Sequence, residues 1–159
     1  MKNLIRIFSI ILVFSLVSCS DEYKKSTKNI PSGVLAVLKD GKISLANDEQ
    51  NIISVLTEEF FTAEAVQFTS AKGLELDGVY YIRMKNEEGL TATTLLVADD
   101  NGFLKPGGIT CVTEACADNE GCVPNPNGTS CTKCWYDDGI HQDPQKGDCK
   151  KITTAPFAP

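Results

Sequence analysis

The chain has 159 residues, 21 acidic against 15 basic side chains, a formal net charge of −6 and seven cysteines. With no basic run and no stripe of aromatics among bases, that acidity excludes a nucleic-acid-binding surface, which must neutralise phosphates with cations. The length allows one domain, or a small domain with an added module.

The N-terminus carries Lys2 and Arg6, then an apolar run over residues 7–17. That run is only about half of the ~20 residues that a helix needs to cross a bilayer. A charged start, a short apolar centre and a small residue before a cut point make an export signal. Leu16-Val17-Ser18-Cys19 resembles the lipobox of bacterial lipoproteins, and the resemblance covers the first 19 residues. It implies a diacylglyceryl thioether on Cys19, cleavage between Ser18 and Cys19, and an acylated new amine. Residues 1–18 are then a signal peptide, and loss of Lys2 and Arg6 takes the net charge from −6 to −8. Each buried methylene contributes ~0.8 kcal/mol, so several acyl chains hold the protein on its membrane. The covalent lipid on Cys19 is the one non-protein group expected; no cofactor is. Ser20-Asp21-Glu22-Tyr23 resembles the acidic export tag that follows the lipid cysteine in surface lipoproteins of Bacteroidota. That implies an outer-membrane location with the chain exposed at the cell surface. Residues 19–31 are polar and lysine-rich, and are expected to be a flexible tether.

An α+β domain is expected over residues 32–105, with a small antiparallel sheet and one packed helix. VLAVL at 34–38 and ISL at 43–45 flank Lys39-Asp40-Gly41-Lys42, a hairpin turn signature. Asn47 stands as an N-cap with Gln50 three residues on, as in a capping box. Ile52, Leu56 and Phe60 recur every fourth residue, so one helix face is apolar. Val66 and Phe68 alternate with polar neighbours. VYYIRMK at 79–85 puts Tyr80, Ile82 and Met84 on one face and Val79, Tyr81 and Arg83 on the other. LTATTLLVA at 90–98 has strand composition. Short turns between these segments make the strands antiparallel.

Pro106-Gly107-Gly108 reads as a boundary, followed by a Cys-rich module over 106–152 and a frayed tail over 153–159. Six cysteines, Cys111, Cys116, Cys122, Cys131, Cys134 and Cys149, all fall in this last third. An even set in an exported chain reads as a disulfide framework, with 15 possible pairings that spacing does not resolve. The segment is too poor in aliphatics to hold itself by burial. The two-part layout resembles small Bacteroidota surface lipoproteins with a Cys-rich tail, which implies a location and no reaction.

Other chemistries compete for the same cysteines. Cys131, Cys134, His141 and Cys149 offer the ligand types of a tetrahedral zinc site, and several thiolates can hold an iron–sulfur cluster. Cys131-Thr132-Lys133-Cys134 has the spacing of a redox dithiol, but no thioredoxin-like βαβ context surrounds it. Asp137, Asp138 and Asp143 are hard oxygen donors suited to calcium, without EF-hand spacing. No catalytic constellation is supported, so no enzyme is expected. Trp135 and Tyr136 form a candidate contact patch. Two functions follow: a surface-tethered, non-enzymatic binding or structural module for a protein or glycan ligand, or an envelope metal-binding or electron-transfer protein.

Overall fold

Left-handed backbone at two Asp-Gly pairs sets the first hairpins: φ is 52° and 74° at Asp40 and Gly41, and 51° and 77° at Asp77 and Gly78. Both central residues at positive φ is the turn whose twist matches paired strands. The structure, a computed structural model, describes residues 31–62, 65–116 and 121–154. The signal peptide, Cys19, most of the tether and residues 155–159 lie outside the described residues.

In chain order the elements are β1 (Ala36–Lys39), β2 (Lys42–Leu45), α1 (Glu49–Phe60), β3 (Ser70–Leu76), β4 (Val79–Lys85), β5 (Thr91–Ala98), β6 (Phe103–Thr113), β7 (Trp135–Tyr136), β8 (Gln145–Lys146) and β9 (Lys150–Thr153). One antiparallel sheet runs β2-β1-β6-β5-β4-β3, and β9 also pairs with β6. β6 therefore organises the sheet. Along one edge it meets β5. Along the other, Phe103 and Leu104 meet β1, and residues 109–112 meet β9. The sheet curls, because the Ile43 side chain of β2 packs where Gly73 of β3 has no Cβ. The architecture is more sheet-dominated than an α+β expectation implies: among the described residues a single 12-residue helix serves the whole sheet.

The helix packs by its expected stripe. Ile52, Ile53, Leu56 and Phe60 are buried against Ile82, Met84, Ala92 and Leu96. Each such side chain contributes ~1.5–3 kcal/mol on full burial. The cap is Asp48, not Asn47. Its carboxylate accepts from the Asn51 amide at 2.9 Å, three residues on, a reach Asn47 lacks by one position. Gln50 is not a capping partner in the described contacts; Glu49 instead accepts from the Ala71 amide of β3. The alternating stretch 66–69 precedes its strand. Phe68 is buried and meets Phe61 edge-on at 5.1 Å, while regular pairing begins at Ser70.

The boundary expected between Lys105 and Pro106 falls inside β6. Thr94 faces Thr110 but Leu96 faces Pro106, so β6 carries two extra residues, Gly107 and Gly108, opposite Leu95. Gly108 has φ of 75°. Pro-Gly-Gly here is a β-bulge, a setting in which a strand accepts both residue types. The bulge bends β6, and the Cys-rich segment continues from the end of the same strand. Thr153, expected to fray, ends β9.

Candidate functional site: a disulfide layer and its hairpin

Helix and Cys-rich segment lie on opposite faces of the sheet. The second face begins with a cross-strand row, Lys72, Arg83, Thr93, Cys111 and Lys151, set by the registers of β3, β4, β5, β6 and β9. Arg83 is only 6% exposed. A guanidinium that deep needs acceptors. Its Nε donates to Thr93 Oγ1 at 2.9 Å and its Nη2 to the Gly121 carbonyl at 3.3 Å. Tyr81 O–H donates to the Pro124 carbonyl at 3.0 Å. Burial, then the nearby Asp77 carboxylate, raise the Tyr81 pKa, so the phenol stays a donor. These two β4 side chains fasten the returning chain to the sheet, and Val123 closes a small apolar cluster with Tyr81, Leu95 and Ile109.

Covalent bonds do the rest. Cys111 pairs with Cys131, Cys116 with Cys134, and Cys122 with Cys149, at Cα–Cα distances of 5.8, 6.1 and 5.5 Å. Each cysteine joins the third one after it, so the three loops overlap. Loops of 20, 18 and 27 residues each remove about 3 kcal/mol of unfolded-chain entropy in the loop-closure account, less when they overlap. Cys111, Cys116, Cys122 and Cys134 are buried together.

This pairing separates Cys131 from Cys134. The chain runs from a β-bridge at Cys131 with Pro124 into β7 without the turn that would close a two-residue clip. The two thiols enter different bridges, so they form neither a redox dithiol nor a zinc clip. His141 is also elsewhere, at a hairpin tip. The set Cys131, Cys134, His141 and Cys149 is therefore not brought together. Among the described residues, the grouping of potential ligands is instead Cys111, Cys131 and Cys149, whose sulfurs lie within 4.8 Å of one another. Asp137, Asp138 and Asp143 do not converge as a cation site.

β7 and β8 form a two-residue hairpin, Trp135 opposite Lys146 and Tyr136 opposite Gln145. Its base rests on the Cys116–Cys134 bridge. Gly147 donates its amide to the Cys134 carbonyl at 3.0 Å, and a Cβ there would strike both sulfurs of that bridge. Its tip is built by two aspartates. Asp137 accepts from the Gly139 amide at 2.8 Å. Asp138 Oδ1 accepts from the amides of Ile140 and His141 at 3.0 and 2.9 Å, and Oδ2 meets His141 Nδ1 at 2.6 Å. The His141 amide, then the Ile140 amide, then the imidazole hold the Asp138 pKa below the usual carboxylate value. The tip so fixed displays Ile140 at 84% exposure, while Trp135 at the base is 55% exposed and Tyr136 is half-buried. Ile140 is the most exposed large hydrophobic side chain among the described residues. The sequence singles out Trp135 and Tyr136 as a candidate patch but not Ile140, whose one signal is an isolated apolar residue inside an Asx-rich turn.

An open cleft of about 710 Å³ lies along the seam where Tyr81, Val123, Pro126 and Lys133 meet. No helix among the described residues is long and apolar enough to cross a membrane. No family model, curated protein or solved structure matches this chain.

Proposed function

We propose that this protein is an exported lipoprotein, held through Cys19 on the outer membrane and exposed at the cell surface, that acts as a non-enzymatic binding module. The observation that carries the reading is the hairpin: a loop stiffened by Asp137 and Asp138, rooted on a disulfide, that displays Ile140 at its tip and Trp135 at its base. A loop already ordered in its presenting conformation loses little entropy on binding. The rim of Asp137, Asp138 and Asp143 suits a protein partner with an apolar socket edged by basic side chains. Three bridges fit an oxidising compartment outside the cytoplasm, and the lipobox supplies the anchor.

Two measurements test this. Cys19→Ala should leave the protein in the aqueous phase on detergent partitioning; continued partition into detergent refutes the anchor. For binding, a photo-crosslinking residue placed at 140 in whole cells should give one discrete adduct. The same residue at 97, where Val97 is also 56% exposed, should give none. Equal labelling from both positions would rule out the hairpin as the contact.

A further inference from the structure

Two of the three bridges share one pocket of sulfur. The Sγ atoms of Cys111, Cys131 and Cys149 lie within 4.8 Å of one another, although Cys149 is bonded to Cys122 and not to either of them. The third bridge, Cys116–Cys134, is outside this group. We propose that, once these two bridges are reduced, Cys111, Cys131 and Cys149 form a binding site for one thiophilic d10 cation of the zinc(II) class, with Cys122 as the fourth thiolate.

The geometry needs little change. Zinc–sulfur bonds of ~2.3 Å put two tetrahedral sulfurs about 3.8 Å apart. The three sulfurs already lie within 4.8 Å of one another, and the bonded pairs Cys111–Cys131 and Cys122–Cys149 must open to reach that spacing. Cys111 is fixed near the end of β6, between Thr93 of β5 and Lys151 of β9. Cys149 directly precedes β9, and Cys131 Sγ lies 3.8 Å from the Lys150 carbonyl oxygen. Strand pairing therefore places two ligands independently of any disulfide. Cys131 and Cys149 are half-buried, which gives a cation and a reductant access, whereas Cys111 is fully buried. Lys150 and Lys151 follow Cys149 and offset part of the thiolate charge.

The redox balance is simple. Two equivalents of a dithiol each deliver two electrons and two protons to one bridge and leave as cyclic disulfides. Four thiols result, and the cation displaces their protons. The oxidised protein holds no such site, since all four sulfurs are spent in bonds. The site is independent of the hairpin reading, because it uses no residue of 135–146.

The test uses the full chain with Cys19→Ser, which removes the seventh thiol, reduced without oxygen and titrated with cobalt(II) alone. The expected result is one cobalt per chain, with tetrahedral visible bands and a thiolate charge-transfer band that zinc abolishes. Cys149→Ser and Cys131→Ser should each weaken binding by at least about tenfold. The double variant Cys116→Ser/Cys134→Ser should bind as tightly as its parent, and so should His141→Ala. An unfolded reduced chain would use Cys131-x-x-Cys134, the closest pair in sequence, so Cys134 would then matter as much as Cys149. That pattern overturns the proposal, and so does the absence of a tetrahedral spectrum.

Discussion

On the helix face of the sheet, Ile82, Met84, Ala92 and Leu96 meet Ile52, Leu56 and Phe60, and apolar burial joins the layers with hydrogen bonds only at the helix ends, at Glu49 and Glu59. On the other face, Arg83 and Tyr81 reach carbonyls of the returning chain, and three disulfides clamp it. The same strands supply both faces, with side chains that alternate between them. Where the covering segment has aliphatics at helical spacing, the sheet is covered by a helix. Where it has Asn, Asp, Gly and Pro, apolar packing is thin, and covalent loop closure supplements it.

The largest effect should come from the helix face. Leu56→Ala removes a fully buried side chain and should cost ~2–5 kcal/mol in denaturant titration. Because no disulfide joins that face, the cost should be the same with the disulfides intact or reduced. A cost that vanishes on reduction would mean that the two faces are not separately stabilised.

The disulfide face can be broken more locally. A Cβ at position 147 would meet the Cys116 sulfur and lie 2.6 Å from that of Cys134. Gly147→Ala should cost about 1–3 kcal/mol as an overpacking change. In a Cys116→Ala/Cys134→Ala background most of that cost should disappear, as read by thermal melting. An undiminished cost would place the strain in the Gly147 backbone instead.

The smallest effect concerns Glu59 near the end of α1. Burial raises its pKa, partly offset by the hydrogen bond from Thr154 at 3.0 Å, and its second carboxylate oxygen has no hydrogen-bond partner. A raised folded-state pKa means that the carboxyl favours folding below the ordinary glutamate range, and that this contribution fades as pH rises through the raised value. Glu59→Gln should therefore stabilise the protein at neutral pH, by less than about 1 kcal/mol because the group is partly solvated. The gain should vanish in acid. A gain that is the same at both pH values would show that charge is not its cause.

Local chemistry was legible in the sequence. Asp40-Gly41 and Asp77-Gly78 formed the turns they specify, residues 79–85 alternated as read, and the helix stripe buried as expected. The failures were non-local. Pro106-Gly107-Gly108 is a breaker in any short window, and only the pairing of β6 with β5 makes it a bulge. Lys150–Thr153 is too polar to suggest a strand until β6 offers it an edge. Arg83 is buried because a carbonyl 38 residues away accepts from it. The cysteine spacing left the pairing open, and the fold sends Cys131 and Cys134, close in sequence, to different bridges.

The β7–β8 hairpin is rooted at the Cys116–Cys134 bridge and Gly147, and no residue of 138–143 belongs to the sheet's core cluster or to the cluster of buried cysteines. In evolutionary terms that tip is insulated. Substitutions, and even insertions, between Tyr136 and Gln145 alter what is displayed without disturbing the layers beneath. A lineage can therefore rewrite what those few positions display while every bridge and strand stays as it is.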